Sequence, residues 1–346
     1  MSDEVKRAPS LWLYPAASAR SAICEDVNRP TVRLRQRCAS LVNGLNRLRV
    51  EHFTLFLASA ATNKVVEISA PALSYYADPF IWQREGRTHI LCEEFRYMRN
   101  KAHLRWISLD SKLRPVTSHI VATAQGHTSF PFLVEHLDTL YLIPETCEEG
   151  GIHLYRCDKF PAQWTRLRTL VPILDAVDTV AFKQNEHWWL ITSIRVSHSG
   201  CYLAIFFADD LLSDDWQPHP INARKLYQGQ PNNSGRNAGA IIRWGGRLLR
   251  PAQHNPNYYG ESIRWMDITK LTETDYSEYP LPSTHPLAQF SERLSMHHFA
   301  VCGDFVAWDV RDRVWPRAMN ARAKASRKLS VAPLGGDLAN FIRSLA

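Results

Sequence analysis

The sequence predicts an all-β protein, a five-bladed β-propeller of four-stranded antiparallel blades. Three observations support this: a hairpin pattern that occurs five times, a nearly constant length of its copies, and polar residues at the open ends of each hairpin. The first copy, residues 77–94, has two short apolar strands, a polar turn and a carboxylate at each end. A repeat of roughly 40 to 60 residues with several strands per unit is typical of propeller blades.

The later copies keep the length of the first. The polar residue that closes the second strand comes 15 residues after the start in the first copy, from Pro79 to Glu94, and 14 residues after the start in each of the next three. The starting points themselves are separated by 52, 48 and 60 residues. The copies span residues 77–94, 129–145, 178–193, 238–253 and a shorter 297–309. A third strand of alternating character follows each full copy, and we expect a more polar fourth strand after it. These fourth strands are predicted at 116–123, 167–174, 219–227 and 276–281.

An additional strand precedes the first copy. Residues 52–58 are apolar and aromatic, and they lie outside the repeats. Propellers commonly close by pairing strands from the two ends of the chain, which removes open sheet edges. We therefore expect residues 52–58 to supply a strand that the fifth copy lacks.

The propeller is predicted to span residues 51–314, with a short extension on each side. Residues 1–50 form an N-terminal extension in which 31–47 could be a basic amphipathic helix, and residues 315–346 form a basic C-terminal extension with a short helix capped by Asp337. The net charge is +7. The basic ends could weakly contact an acidic membrane surface, whereas no nucleic-acid partner is expected.

The sequence also argues against several classes of function. It contains no GxSxG, no P-loop and no GxGxxG between a strand and a helix, which argues against hydrolase-elbow, NTPase and dinucleotide-binding functions. Its cysteines are scattered singly, without a CxxC or a Cys/His cluster, so we expect neither a metal site nor a cofactor. Without a signal-peptide run or a stretch of roughly 20 apolar residues, a cytoplasmic protein without transmembrane segments is expected.

The hairpin geometry predicts one functional site. In an antiparallel hairpin the start of the first strand and the end of the second lie at the same edge, so both ends of every copy meet at one mouth of the central funnel. Glycosidic bond cleavage needs one protonated and one ionised carboxyl group. We assign these roles to Asp178 as acid and Asp78 as base or nucleophile, with Glu94 and Glu145 adjusting their pKa values. The residues predicted to bind substrate are Glu93, His127, Ser129, Asn237, Arg250, Gln253, His254, Tyr259, His297 and His298.

Two stretches of the fourth copy are the most polar in the chain, residues 236–239 and 250–260. Arg250 offers a rigid donor fork for a carboxylate, a phosphate or a vicinal diol. The alternative is a Pro/Asn/Gly loop held by its own hydrogen bonds. The histidines at strand starts are expected to hydrogen-bond sugar hydroxyls or each other.

Several motifs together indicate a family. They are Tyr76-Ala-Asp-Pro-Phe-Ile81, Ser129-Phe-Pro-Phe132, Ile143-Pro-Glu-Thr146, Trp188-Trp-Leu190 and Arg250-Pro-Ala-Gln253. Over roughly residues 52–312 the chain resembles the N-terminal domain of glucosamine inositolphosphorylceramide transferases, whose bacterial relatives include stand-alone proteins. The plant domain precedes a separate glycosyltransferase domain, which this chain is too short to contain.

A more remote similarity connects the chain to the furanosidase-like five-bladed propellers of arabinanases, xylosidases and invertases. That resemblance implies a first-blade Asp as base or nucleophile, a second-blade Asp that tunes pKa values and a third-blade Glu as acid. Asp78 matches the first position. The second position holds Phe130 and the third holds Asp178, so two of the three catalytic positions depart from the pattern.

These observations predict a carbohydrate-active propeller that acts on or binds a glycan or glycoside at the funnel. Glycosidase or glycosyl-transfer chemistry in polysaccharide or glycolipid metabolism is the first hypothesis. A non-catalytic glycan-binding or accessory module of a biosynthetic pathway is the second. An interaction propeller that binds protein or nucleic acid through its basic tails is the third.

Overall fold

The computed structural model describes residues 50–121, 126–146, 148–172, 174–196, 200–228, 235–314 and 337–345. In these residues twenty strands form five four-stranded antiparallel sheets, which are the five predicted blades. The predicted helix over 31–47 lies outside the described residues, as does most of the basic C-terminal extension. No helix among the described residues is long and apolar enough to cross a bilayer.

Four blades are each built from consecutive strands, with the first strand of each blade innermost. Blade 1 contains β3 (Ser74–Arg84), β4 (Arg87–Arg96), β5 (Lys101–Leu109) and β6 (Pro115–Val121). Blade 2 contains β7 (Ser129–His136), β8 (Thr139–Glu145), β9 (Ile152–Lys159) and β10 (Gln163–Val171). Blade 3 contains β11 (Ala176–Gln184), β12 (His187–Val196), β13 (Gly200–Ala208) and β14 (Gln217–Pro218). Blade 4 contains β15 (Ile242–Trp244), β16 (Arg247–His254), β17 (Ser262–Leu271) and β18 (Tyr276–Pro280).

The fifth blade joins the two ends of the propeller. It contains β19 (Met296–Cys302), β20 (Phe305–Val314), β1 (Val50–Ser59) and β2 (Lys64–Ile68). The pairing of β1 with β20 runs from Val50 opposite Val314 to Ser59 opposite Phe305. The predicted contribution of residues 52–58 is confirmed, and β2 adds a strand that the sequence did not predict.

The predicted fourth strand of blade 3, over residues 219–227, is wrong. Strand β14 has two residues and is followed by a 3₁₀ helix, Pro220–Arg224, for which His219 is the N-cap. Pro220 has no N–H to donate to a ladder. The Asn222 side chain instead hydrogen-bonds both the N–H and the C=O of Ile205, each at 2.8 Å, and replaces the missing strand partner.

The core lies between adjacent blades. Four tryptophans from four blades are fully buried there: Trp106, Trp189, Trp265 and Trp308. Two helices cover apolar side chains next to blades 4 and 5, α1 (Pro286–Leu294) and α2 (Asp337–Arg343). The rings of Phe290 in α1 and Phe341 in α2 lie 4.3 Å apart, centroid to centroid. Helix α2 lies within the stretch for which the sequence predicts a short C-terminal helix.

A β-bulge interrupts the first strand of each of blades 1, 2 and 3. The bulges contain Asp78, Phe130 and Asp178, whose φ angles are 49°, 42° and 52°. Such a left-handed conformation costs a residue other than glycine roughly 1–3 kcal/mol, and bulges re-aim side chains. The fold therefore holds these three residues in the same left-handed backbone conformation, each in the first strand of its blade.

Candidate functional site

The first half of the site surrounds Asp78, where blade 1 meets blade 5. The Asp78 N–H donates a hydrogen bond of 2.9 Å to Asp309 Oδ2, which lies 3.2 Å from His297 Nδ1. Asp78 Oδ1 lies 3.7 Å from His297 Nδ1 and 3.5 Å from His298 Nδ1. Two carboxylates and two imidazoles are thus buried in one cluster.

The electrostatic environment shifts the pKa values of Asp78 and Glu93, both on blade 1, in opposite directions. Burial alone would raise the pKa of Asp78, but the nearby His298 and His297 outweigh burial and bring this pKa down to about 2. Burial raises the pKa of Glu93 well above its usual 4.5, and the negative charge of Asp78 raises it further. Burial opposes protonation of His297, yet the adjacent Asp309 raises its pKa above the usual value. An ionised Asp78 therefore lies near Glu93, whose pKa its negative charge and burial push strongly upward.

The second half surrounds Asp178, where blade 3 meets blades 2 and 4. Arg236 donates from Nε to Asp178 Oδ2 at 2.5 Å and from Nη2 to Asp178 Oδ1 at 3.0 Å. The Asp178 N–H donates to Glu145 Oε2 at 3.3 Å, and Gln253 Nε2 lies 3.4 Å from Asp178 Oδ2. Burial, together with the charge of Asp178, raises the pKa of Glu145 to about 8 against the opposing effect of Arg236. Glu145 therefore holds a proton at neutral pH.

Tyr259 connects the two halves. Its hydroxyl lies 3.0 Å from His297 Nε2, and its ring centroid lies 5.4 Å from the guanidinium carbon of Arg236. Burial raises the pKa of Tyr259 well above 10, so the phenol stays protonated. The next residue, Gly260, has a φ of +73°, and a Cβ there would lie 3.3 Å from His297 Cδ2. Glycine allows the loop to lie directly on the imidazole.

The structure brings together most of the predicted site residues but separates Glu94 from them. Glu94 accepts hydrogen bonds from Arg96 Nε at 3.0 Å and Arg105 Nε at 2.6 Å, and it lies 3.2 Å from His103 Nε2. Burial works against ionisation of Glu94, but its contacts with His103 and the two arginines lower its pKa to about 2. Because neighbouring residues of a strand point to opposite faces, Glu93 contributes to the Asp78 cluster and Glu94 does not.

Arg250 and Asn237 lie behind Asp178. The Arg250 side chain is 0% exposed and donates to both oxygens of Glu278, at 2.8 and 2.6 Å. Its Nη1 also donates to Asn237 Oδ1 at 3.1 Å, and Asn237 Nδ2 donates to the Asp178 carbonyl at 2.7 Å. The predicted donor fork is therefore used within the protein, where it supports the Asp178 backbone.

The remaining predicted residues bond to the blades themselves. His127 Nδ1 accepts from the Ala102 N–H at 3.3 Å, and burial lowers the pKa of His127. Ser129 is buried and is opposite Glu145 in the ladder of blade 2. His254 Nε2 lies 3.0 Å from Arg264 Nη2.

Two residues of the site, Asp309 at the predicted mouth and Arg236 in the polar stretch of the fourth copy, have no chemical role assigned from the sequence. Both follow from the rule that hairpin ends meet at one mouth, because Asp309 ends the hairpin of blade 5 and Arg236 precedes the first strand of blade 4. What the sequence could not show is that Arg236 pairs with Asp178 of the neighbouring blade.

Three residues of this site could hold a metal ion. Asp78, His297 and Asp309 are buried, and one ligand atom from each lies within 4.8 Å of the other two. Two carboxylates with an imidazole are a donor set that divalent cations accept.

Comparison with curated proteins identifies similar plant proteins. The chain is 28% identical over 292 residues to glucosamine inositolphosphorylceramide transferase 1 of Arabidopsis thaliana, covering 79% of this chain and 37% of that protein. It is 29% identical over 158 residues to the protein of the same name from Oryza sativa subsp. japonica, covering 45% of this chain and 21% of that protein. The chain therefore spans well under half the length of these relatives.

Solved structures with a similar arrangement include glycoside hydrolases. The catalytic domain of Coprinopsis cinerea GH62 alpha-L-arabinofuranosidase has a TM-score of 0.49 at 13% identity, covering 72% of this chain and 85% of that one. Zg3597, a family 117 glycoside hydrolase of Zobellia galactanivorans, has a TM-score of 0.47 at 10% identity, covering 76% and 90%.

A family profile matches most of the propeller. The match covers residues 58–292, which is more than half of the chain and includes Asp78, Glu145, Asp178 and Arg236. The chain therefore belongs to the family described as glucosamine inositolphosphorylceramide transferase 1, N-terminal.

Proposed function

We propose that the chain binds a glycan, or the sugar part of a glycolipid, at the funnel mouth and performs acid–base chemistry on a glycosidic bond there. One feature carries the proposal: burial and neighbouring charges drive the pKa values of two carboxyl groups at the mouth in opposite directions. The pKa of Asp78 is about 2 and that of Glu145 is about 8. Environments that drive two carboxyl pKa values apart are how glycosidases assign acid and base.

Glu145 is the acid in this proposal, in place of the Asp178 that the sequence favoured. Both oxygens of Asp178 accept hydrogen bonds from Arg236, which uses this carboxylate as an acceptor. Glu145 gives its proton to the departing glycosidic oxygen as the bond to the anomeric carbon breaks. Asp78 either attacks that carbon or takes a proton from the attacking water or acceptor hydroxyl.

The family supports a sugar as the ligand class. The name of the plant relatives describes the transfer of glucosamine in connection with inositolphosphorylceramide. We extend only the sugar class to this chain, because it covers 37% of the Arabidopsis thaliana protein. The cytoplasmic location and the contact of the basic termini with a membrane surface stay predictions.

A non-catalytic glycan-binding module is the second candidate. Two features favour it: the bidentate pairing of Asp178 with Arg236, and the buried Phe130 at the position where the furanosidase-like resemblance implies an Asp. In this case the same mouth recognises a sugar without cleaving or transferring it. The third hypothesis depends on basic tails that lie largely outside the described residues.

The test compares wild type with Asp78→Asn and Glu145→Gln on a panel of nitrophenyl glycosides, with calorimetry on glucosamine, glucose, xylose and arabinose. We expect each variant to lose about 10²–10⁴-fold in turnover while its sugar binding persists. Glu148→Gln, a half-exposed acid three residues beyond Glu145, is the matched control and should keep wild-type turnover. Binding without turnover in wild type would favour the second candidate, and neither binding nor turnover would refute both.

A further inference from the structure

The loop after β16 has a rigid internal structure. Asn255 Oδ1 accepts hydrogen bonds from the N–H groups of Gly260 at 2.9 Å and Glu261 at 3.3 Å. The Glu261 carboxylate accepts from the Asn257 N–H and from Asn257 Nδ2, both at 2.8 Å. These bonds close the loop on itself. The two tyrosines that it carries, at positions 258 and 259, therefore have fixed directions.

The two tyrosines differ in their environment. Tyr259 hydrogen-bonds His297 within the site, as described above. Tyr258 is 49% exposed, and the guanidinium carbon of Arg311 lies 5.0 Å from its ring centroid. Arg311 is in turn ion-paired with Glu51. Tyr258 is thus a half-exposed ring that packs on an anchored cation.

Arg311 places this ring next to the Asp78 cluster. Arg311 and Asp309 are two residues apart on β20, so their side chains leave the same face of the strand, roughly 7 Å apart along it. A Cβ on Gly260 would lie 3.0 Å from Arg311 Cδ and 3.3 Å from His297 Cδ2, so the loop touches both residues. The Tyr258–Arg311 pair therefore lies beside the Asp78 cluster, one step further along β20.

We propose that Tyr258, packed on Arg311, is a subsite for a second sugar ring at the rim of the funnel. The ligand would then be a glycan of at least two sugar units, with one ring at Asp78 and Glu145 and the next ring on Tyr258. This inference rests on the proposed function. A tyrosine ring offers a large amphipathic surface on which the C–H face of a sugar can pack, and the loop hydrogen bonds reduce the entropy lost on binding.

The test measures binding by calorimetry with matched monosaccharide and disaccharide pairs: glucosamine with its β-1,4 disaccharide, glucose with cellobiose, and xylose with xylobiose. We expect Tyr258→Ala to weaken disaccharide binding about tenfold and to leave monosaccharide binding within about twofold. Tyr258→Phe keeps the ring and should bind both like wild type. Tyr279→Ala, which removes a 62% exposed tyrosine from the outer strand β18, is the matched control.

The two lengths of ligand separate the two proposals. If Tyr258→Ala weakens both lengths equally, or neither, the subsite is refuted while sugar binding at the funnel stands. If wild type binds no sugar of either length, the proposed function and the subsite are refuted together. Because Tyr258 is half exposed, alanine is compatible with the fold, and an unchanged melting temperature verifies this for each variant.

Discussion

Blades 1 and 3 use one backbone arrangement for two kinds of chemistry. Asp78 and Asp178 both lie in a bulge with a left-handed backbone. Each donates its N–H to a carboxylate on the second strand of the preceding blade, Asp309 for Asp78 and Glu145 for Asp178. Their side chains differ in partner, since Asp78 lies near two imidazoles and Asp178 pairs with a guanidinium.

The difference separates what belongs to the fold from what belongs to the site. The bulge and its carboxylate acceptor recur between blades, so they are part of how neighbouring blades join. Imidazoles change charge near neutral pH, whereas a guanidinium does not. We therefore infer that Asp78 takes part in the chemistry, whereas Asp178 anchors a ligand or the adjacent backbone beside the proton donor Glu145.

The largest expected effect on stability comes from breaking the support of the Asp178 half. Arg250→Ala leaves the buried Glu278 carboxylate without its cationic partner and removes a hydrogen bond from Asn237, which holds the Asp178 carbonyl. Removing one member of a buried ion pair typically costs about 3–5 kcal/mol. We expect a loss of this size in the free energy of unfolding, measured by urea titration.

Arg247→Ala is the control for this prediction, because Arg247 is on the same strand with a side chain that is 57% exposed in its pair with Asp267. It should cost at most about 1 kcal/mol. Equal losses for the two arginine variants would show that the buried pair has no special part in holding Asp178.

The hairpin pattern was enough to predict the five blades and to bring Asp78, Glu145, Asp178 and His297 to one mouth. The reason is geometric, since both ends of an antiparallel hairpin lie at one edge whatever its side chains are. The short β14 was missed because His219 and Pro220 form a cap that a strand pattern does not reveal.

Side-chain partners were the part that the sequence could not supply. Glu93 and Glu94 are neighbours, and which of them faces the funnel depends on the register of β4 against a strand that contains a bulge. Arg250 looked like a free donor because its partner Glu278 is 28 residues away, on a strand two places further out in the same blade.

The pH dependence of stability offers a test of the proton on Glu145. A carboxyl group whose pKa rises from 4.5 to about 8 on folding keeps its proton in the folded state after the unfolded chain has lost it. The folded state therefore loses stability as the pH rises through this interval, with a limiting slope of about 1.4 kcal/mol per pH unit. Glutamine does not titrate, so Glu145→Gln should become more stable relative to wild type between pH 5 and pH 8.

Urea titrations at several pH values measure this difference, with Glu148→Gln as the control, because Glu148 is half exposed. The Glu148→Gln curve should run parallel to that of wild type. If the Glu145→Gln curve also ran parallel, Glu145 would be ionised in the folded state and could not serve as the acid.

The smallest effect is expected at the bulge of blade 2. Phe130 there has the same left-handed backbone as Asp78 and Asp178 in blades 1 and 3, but it carries no carboxylate. Phe130 is buried, and its ring centroid lies 5.2 Å from those of Phe80 and His298. Phe130→Leu keeps an apolar side chain there, so we expect a loss of about 1 kcal/mol in the free energy of unfolding and turnover within about threefold of wild type. A loss of turnover as large as that of Asp78→Asn would mean that packing on His298 controls the chemistry, and blade 2 would then belong to the site rather than to the scaffold.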